Sequence, residues 1–147
     1  MTGSNRQEMS CIFCRIVSGD VKAELVAREP GATAFLDVSP LADGHVLVVP
    51  DDHVARVEDL GEEAAAALFR TVTRLAGPVR AAVGAAGTTI GVNNGDATGQ
   101  TVPHVHVHIV PRREGDGASS VHGIFPAGPR RPVAEVGEAI RARLAAR

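Results

Sequence analysis

The seven residues from His104 to Val110 constrain the fold more than any other part of this sequence. They read His-Val-His-Val-His-Ile-Val, so an imidazole recurs at every second position and β-branched residues fill the positions between. A period of two is that of a β-strand, whose alternate side chains point to opposite faces. The segment therefore predicts a strand that carries three imidazoles on one face, those of His104, His106 and His108.

A single catalytic metal bound by all three histidines is one alternative for this segment. Residues four apart on a strand are separated by about 13 Å at ~3.3 Å per residue. Zinc–nitrogen bonds of about 2.0–2.1 Å require ligand atoms to converge, so one metal cannot easily take both outer histidines. We expect three separate roles. A second alternative, surface histidines on a half-exposed strand, is disfavoured by their threefold repetition directly after a turn containing Gly99, Gln100 and Thr101.

Four other apolar segments predict strands that join the histidine strand in an antiparallel sheet of about five strands. A Pro30-Gly31 turn between the first two segments indicates a hairpin. The nearly continuous apolar segment from His45 is typical of a central strand. The four predicted strands are Leu25–Arg28, Thr33–Leu36, His45–Val49 and Thr89–Asn93.

Three helices complete the predicted α+β fold. A long alanine-rich pattern between Asp59 and Ala86 predicts a helix packed across the sheet, with a kink or break at Pro78. A short N-terminal helix is expected over Cys11–Val17, with Ser10 as its N-cap. An amphipathic C-terminal helix is expected over Val133–Ala146.

The length of 147 residues suits one domain with a hydrophobic core. We expect a flexible tail over residues 1–9, the main part of the domain over residues 10–113, and a loop and helix of the same domain over residues 114–147. No apolar segment approaches the roughly 20 residues that span a bilayer, and no signal peptide is evident. We therefore expect a cytoplasmic protein without a membrane partner. The net charge of −2, without a basic stripe, excludes a nucleic-acid partner.

The two cysteines of the chain, Cys11 and Cys14, are spaced as C-x-x-C. In a reducing compartment this spacing indicates metal binding or redox chemistry rather than a structural disulfide. Redox catalysis is disfavoured because no thioredoxin-like βαβ pattern surrounds the pair. Two reduced, buried thiols are the remaining alternative.

Several motifs together resemble the histidine triad (HIT) superfamily, and in particular its Hint-like bacterial branch. The histidine segment matches the His-φ-His-φ-His-φ-φ pattern of that superfamily. The further motifs CIFCRIVSGD, FLDVSP, GHVLVVPDDH and VNNGDATGQTVPH match in order and spacing, so that the resemblance covers Ser10 to Arg113. It implies a homodimeric α+β fold that binds nucleoside monophosphates and hydrolyses or transfers them through a histidine intermediate.

The resemblance implies a role for each residue of the histidine site. His106 corresponds to the nucleophile that attacks the α-phosphorus. The family residues that contact the phosphate and the leaving group correspond to Gln100, Thr101 and His108. His45 corresponds to a histidine that supports the triad from the adjacent strand, although a buried structural histidine explains it equally well.

The resemblance also implies a nucleotide pocket and a zinc site. Asp37 corresponds to the acid that accepts hydrogen bonds from the ribose hydroxyls, and Asn93 to a ribose or phosphate contact, with turn capping as its alternative. The apolar walls around the base correspond to Ile12, Phe13, Ile16, Phe35 and Val38. A closed, structural zinc site with four ligands corresponds to Cys11, Cys14, His53 and His104. No organic cofactor is expected.

The resulting prediction is a nucleotide hydrolase or transferase acting on a purine nucleotide, namely a nucleoside phosphoramidase. The alternatives are a dinucleoside polyphosphate hydrolase or phosphorylase and, in another class, a nucleotide-binding regulatory protein with vestigial catalysis. The segment from Glu114 to Pro132, which includes His122, matches no motif of the family. The sequence therefore leaves the physiological leaving group open.

Overall fold

The structure is a computed structural model that describes residue 6 and residues 8–147. The predicted flexible tail lies for the most part outside the described residues, whereas residues 8–10 are helical. Two compact units are present, one ending at Asp116 and one spanning Gly117–Arg147. The boundary falls close to Arg113, where the family motifs end.

The N-terminal unit contains a five-stranded antiparallel sheet with the strand order β1-β2-β3-β5-β4. Its strands are β1 Leu25–Glu29, β2 Ala32–Leu36, β3 Val46–Pro50, β4 Gly87–Gly91 and β5 Val107–Arg112. The predicted sheet is confirmed. The predicted hairpin joins β1 to β2 through Gly31, which has a φ of 85°. A side chain there would be strained, and its Cβ would lie 3.0 Å from the Ala67 Cβ.

The helices are α1 Ile12–Ser18, α2 Glu62–Ala82 and α3 Val133–Ala145. Ser10 is not the N-cap of α1, because Cys11 occupies that position and its Sγ accepts a hydrogen bond from the Cys14 N–H. The predicted break at Pro78 is also wrong, since α2 continues through it. Pro78 lies on the exposed side of α2, where water can satisfy the carbonyl group that the missing N–H leaves unpaired.

Two apolar clusters fill the opposite faces of the sheet. Val46 and Val48 of β3 belong to the cluster that packs under α2, whereas Leu47 and Val49 belong to the cluster that packs under α1. The alternation follows from the period of the strand. The sheet is therefore covered on both faces, and α1 lies on the face opposite α2.

The histidine segment is only partly a strand. We expected a strand from His104, but β5 begins at Val107. The pairing of β5 with β3 reaches only Val48, and the Val105 N–H donates instead to the Val54 carbonyl oxygen at 2.7 Å. The alternation survives this change, because the aliphatic residues Val105, Val107 and Ile109 all lie in the core under α2.

The C-terminal unit contains a 3₁₀ turn, Val121–Ile124, followed by α3. Ser120 caps the turn by accepting a hydrogen bond from the His122 N–H. Among the described helices of the chain, none is long and apolar enough to cross a membrane.

Candidate active site and metal centre

His106 is held with one ring nitrogen engaged and the other available. Its Nδ1 lies 2.8 Å from the His104 carbonyl oxygen. A carbonyl oxygen only accepts hydrogen bonds, so Nδ1 carries the proton and Nε2 is bare in the neutral ring. The side chain is 6% exposed and packs edge-on against Phe13, with ring centroids 5.1 Å apart. This environment suits a nucleophile whose direction of attack is fixed.

His45 and His108 form a hydrogen-bonded pair beside His106. The Leu41 N–H donates to His45 Nδ1 at 3.0 Å, and His45 Nε2 lies 2.9 Å from His108 Nδ1. His108 Nε2 is buried and has no hydrogen-bond partner among the described residues. The rings of His106 and His108 lie 5.0 Å apart, centroid to centroid. An unpartnered polar atom of this kind next to a candidate nucleophile points to a ligand that completes its hydrogen bonding.

Burial keeps this pair neutral at pH 7. Desolvation, followed by the nearby rings of His106 and His45, lowers the pKa of His108 to about 4, and Asp37 opposes the change. Desolvation likewise lowers the pKa of His45, again against the opposing effect of Asp37. Neither ring is therefore a resident cation of the site.

The lowered pKa of His108 predicts a dependence of stability on pH. Between its unfolded pKa of about 6.5 and its folded pKa of about 4, the unfolded chain binds more protons than the folded one. The contribution of neutral His108 to the free energy of unfolding is therefore fully present above pH 6.5 and is lost as the pH drops towards 4. Between pH 6.5 and 4, we expect the free energy of unfolding of the zinc-free wild type to decrease by about 1–2 kcal/mol more than that of zinc-free His108→Asn. This figure allows for solvent screening of the partly exposed ring. Urea unfolding at several pH values measures the difference, and equal losses would contradict the prediction.

A cavity of about 380 Å³ opens in front of these rings. Both His106 and His108 line it, together with Thr101 and the Asp37 carboxylate. Asp37 Oδ1 accepts a hydrogen bond from the Ser39 N–H at 2.9 Å, and Oδ2 lies 3.7 Å from His45 Nε2. The structure also brings to this cavity all of the predicted apolar wall, namely Ile12, Phe13, Ile16, Phe35 and Val38. The cavity thus combines an apolar wall, one carboxylate, two imidazoles and one cationic residue, Lys22.

Two predicted contacts are not brought to this cavity. Gln100 does not line it, because its Oε1 accepts from the Gly95 N–H and its Nε2 donates to the carbonyl oxygens of Ala55 and Val102. Its side chain therefore fixes the turn and has no N–H left for a phosphate. Asn93 is exposed, lies beyond the end of β4 and does not line the cavity.

The neighbouring Asn94 has a role that the sequence did not indicate. Its Oδ1 accepts from the Val57 N–H, and its Nδ2 donates to the Glu58 carboxylate. Asn94 thus ties the turn before the histidines to the segment after β3. An Asn-Asn pair gives no signal that separates the two residues without a structure.

The four predicted metal ligands converge at one point. The sulfur atoms of Cys11 and Cys14 and a ring nitrogen from each of His53 and His104 all lie within 4.8 Å of one another. The Cys11 Sγ lies 3.4 Å and the Cys14 Sγ 3.5 Å from His104 Nδ1, and the Cys14 Sγ lies 3.3 Å from His53 Nδ1. Tetrahedral zinc with bonds of about 2.3 Å to sulfur and about 2.1 Å to nitrogen separates such ligand atoms by about 3.6 Å. The donor set and its spacing fit a closed zinc site.

The hydrogen bonding of His104 supports the same conclusion. His104 Nε2 lies 2.8 Å from the Pro50 carbonyl oxygen, so Nε2 carries the proton and Nδ1 presents its lone pair to the cluster. Desolvation is the main cause that lowers the pKa of His104, which favours the neutral, ligating form. In the metal-free protein, burial, followed by the hydrogen bond with Cys11, raises the pKa of Cys14 to about 12. A thiol with that pKa is a poor redox nucleophile.

A second group, Asp37, His45 and His108, also has ligand atoms within 4.8 Å of one another. Its hydrogen bonding argues against a metal ion. His45 Nδ1 accepts the Leu41 N–H, so the neutral ring carries its proton on Nε2, the atom that would have to bind the ion. The two groups therefore differ in chemistry, the first presenting lone pairs and the second forming a hydrogen-bonded chain.

A further cavity of about 610 Å³ adjoins the first, since Ile12, Thr101 and Val102 line both. Its other polar lining residues include His53 and Asp59. Neither Lys nor Arg is among the described residues that line it. A ligand that reaches past Thr101 therefore enters space without a fixed positive charge.

The fold and the site define a class: an α+β protein whose sheet carries alternating histidines beside a hydrogen-bonded histidine pair and a Cys₂His₂ cluster that could hold a metal ion. The model of the HIT domain matches residues 18–115. The chain belongs to the HIT family.

Two similar proteins are named as hydrolases of nucleotides. The adenosine 5'-monophosphoramidase hnt1 of Schizosaccharomyces pombe is 39% identical over 104 residues, which are 71% of this chain and 75% of that protein. The asymmetrical bis(5'-nucleosyl)-tetraphosphatase of the same organism is 38% identical over 96 residues, 65% of this chain and 53% of that protein.

Solved structures confirm the fold. The protein SMU.412c from Streptococcus mutans superposes with a TM-score of 0.81 at 33% identity, covering 92% of this chain and 85% of that one. A zinc-bound histidine triad family protein from Mycobacterium smegmatis superposes with a TM-score of 0.72 at 39% identity, covering 94% and 95% of the two chains.

Proposed function

We propose that this protein is a purine nucleoside phosphoramidase, which transfers the nucleotidyl group of its substrate to His106 and then to water. The observation that carries the proposal is the arrangement of two ring nitrogens in one cavity: the bare Nε2 of His106 and the buried, unpartnered Nε2 of His108. The first suits attack on phosphorus, and the second suits a hydrogen bond to the phosphate or the leaving group.

The reaction has two steps. His106 Nε2 attacks the α-phosphorus, the bond from phosphorus to the leaving nitrogen breaks, and the departing amine takes up a proton from solvent. Water then attacks the nucleotidyl-histidine, the bond from phosphorus to Nε2 breaks, and the proton that the water loses returns to solvent. This step releases a nucleoside monophosphate and restores the neutral ring. The His104 carbonyl oxygen holds the Nδ1 proton throughout and stabilises the positive charge that develops on the ring.

Binding of the nucleoside is assigned to the rest of the cavity. Asp37 accepts hydrogen bonds from the ribose hydroxyls, since its carboxylate lies in the cavity beside the histidine pair. Phe13 packs against His106 and also lines the apolar part of the cavity, which supports a base site next to the reacting phosphorus. Zinc held by the Cys₂His₂ site would have a structural role, fixing α1 to the histidine segment.

The adjoining cavity favours a phosphoramidate over a dinucleoside polyphosphate. A polyphosphate leaving group carries several negative charges, whereas the described lining of that cavity includes the Asp59 carboxylate and neither Lys nor Arg. An amine leaving group meets no electrostatic penalty there. The family resemblance also supports a cytoplasmic location and a homodimer. A solution mass of twice that of the chain would support the homodimer, and a monomer mass would contradict it.

A side-by-side assay tests the proposed substrate class. Adenosine 5'-phosphoramidate and diadenosine tetraphosphate are incubated with the protein under the same conditions, and AMP release is followed by chromatography. We expect kcat/KM for the phosphoramidate to exceed that for the tetraphosphate by about 100-fold or more, since each 1.4 kcal/mol of repulsion changes the rate by about tenfold. The reverse order would assign the protein to the polyphosphate hydrolases. Tight AMP binding without product from either compound would indicate a regulatory protein.

A further inference from the structure

We propose that the backbone N–H of Leu41 sets the tautomers of His45 and His108, and thereby makes His108 Nε2 a hydrogen-bond donor in the nucleotide cavity. Leu41 is then a positioning residue that acts through two rings. The inference rests on the proposed function for its catalytic consequence, whereas the tautomers themselves are properties of the free protein.

The first step is the bond between Leu41 and His45. A backbone amide is an obligatory donor, and the Leu41 N–H lies 3.0 Å from His45 Nδ1. The Nδ1 atom must therefore be unprotonated. His45 is 1% exposed, so water cannot replace this bond at low cost. A neutral His45 ring then has its only proton on Nε2.

In the second step, the tautomer of His45 fixes the tautomer of His108. His45 Nε2 lies 2.9 Å from His108 Nδ1 and 3.7 Å from the Asp37 Oδ2 atom. Only the shorter distance is a hydrogen bond, so the Nε2 proton is donated to His108. His108 Nδ1 is then the acceptor, and the neutral ring carries its proton on Nε2, the buried atom without a partner.

The loop that carries Leu41 is held at both ends. The Asp37 N–H donates to the His45 carbonyl oxygen at 2.9 Å, and the His45 N–H donates to the Ala42 carbonyl oxygen at 3.1 Å. The Leu41 side chain, by contrast, is 78% exposed. The contribution of Leu41 to the site is therefore its amide rather than its side chain, which makes the inference separable from packing.

The opposite direction of the hydrogen bond between His45 and His108 shows what the Leu41 N–H prevents. With the proton on His45 Nδ1, the bare Nε2 would accept from His108 Nδ1–H, and His108 Nε2 would become an acceptor. A bare nitrogen facing a phosphate oxygen repels it, so a hydrogen bond to the reacting group would become an electrostatic penalty.

The direct test is the ring nitrogen spectrum of the uniformly ¹⁵N-labelled, zinc-loaded protein at pH 7 without nucleotide. Two-bond ¹H–¹⁵N correlation distinguishes protonated from bare ring nitrogens. We expect Nε2 to be the protonated atom in both His45 and His108. A bare Nε2 in His108 would overturn the inference, whatever the activity of the protein.

Leu41→Pro removes the N–H, and Leu41→Ala is its matched control, which keeps the N–H and loses an exposed side chain. We expect Leu41→Pro to shift protonation from Nε2 to Nδ1 in His108 and to lower kcat about 10- to 100-fold with KM changed less than about threefold. Leu41→Ala should resemble the wild type in both measurements. An unchanged tautomer in a folded Leu41→Pro protein would overturn the inference.

Replacing the Leu41 amide by an ester deletes the same N–H with a smaller change of shape, and serves if the proline variant does not fold. The expected shift of protonation is the same, and its absence in the ester protein would overturn the inference. The two proposals fail separately. Correct tautomers without turnover of any nucleotide would contradict the proposed function alone, whereas turnover with His108 Nε2 bare would contradict this inference alone.

Discussion

Replacement of His106 by asparagine is expected to lower kcat for adenosine 5'-phosphoramidate by at least about 10⁴-fold, the scale on which loss of a nucleophile acts. The Asn amide can still donate to the His104 carbonyl oxygen, as His106 Nδ1 does, but it has no atom at the position of Nε2. The variant should therefore fold normally and bind AMP within about threefold of the wild-type Kd. Steady-state kinetics and calorimetric titration measure the two effects. Rapid quenching of the wild type should also trap a nucleotidyl adduct on His106.

His122→Asn is the matched control for this substitution. His122 belongs to the C-terminal unit, where its ring is exposed and lies 3.1 Å from the Ser120 hydroxyl. We expect this variant to retain wild-type kcat and KM. Turnover by His106→Asn at more than about a tenth of the wild-type rate would disprove nucleophilic catalysis by His106.

Loss of zinc is expected to lower the thermal stability of the protein more than any single substitution in the nucleotide cavity. Protein purified without added metal should contain about one zinc per chain, and a chelator should lower its Tm by about 10 °C or more. Cys11→Ser should lose the metal and show the lower Tm without the chelator. Elemental analysis and calorimetry measure these effects.

The Cys11→Ser substitution separates ligation from helix capping. Cys11 is both a candidate ligand and the N-cap of α1, and serine is among the best capping residues. The cap is therefore kept when the thiolate is lost. As a control, Ser18→Ala changes α1 at an exposed position away from the cluster and should leave the metal content intact. Substoichiometric zinc in the wild type, with both thiols titrating freely, would refute the site.

The sequence, with the family resemblance that it carries, was sufficient to predict the class of fold and the four residues that lie together at the candidate metal site. The alternation of the histidine segment holds because Val105, Val107 and Ile109 must reach the core, and this fixes the opposite direction of the imidazoles. The structure also agrees with the argument that one ion cannot bind both outer histidines of the segment. Of His104, His106 and His108, only His104 lies with the two cysteines. The identities of the ligands and of the nucleotide pocket came from the family resemblance, since spacing alone does not specify partners distant in the chain.

The periodicity of the sequence could not predict other features of the structure. The start of β5 at Val107 depends on a backbone bond to Val54, and no local pattern encodes that competition. The side chain of Gln100 is committed to three backbone groups of its own turn and of the segment after β3, which only the folded geometry reveals. The same holds for Leu41, whose role belongs to its amide and would be shared by any residue except proline.

His104 serves two centres through two different parts of one residue. Its ring belongs to the candidate metal site, whereas its carbonyl oxygen orients the proposed nucleophile, His106. Every amino acid carries that carbonyl group, so substitution at position 104 can abolish ligation and leave the nucleophile oriented. The proposed metal site and the proposed nucleophile are therefore chemically separable, because one depends on the ring of His104 and the other on its backbone.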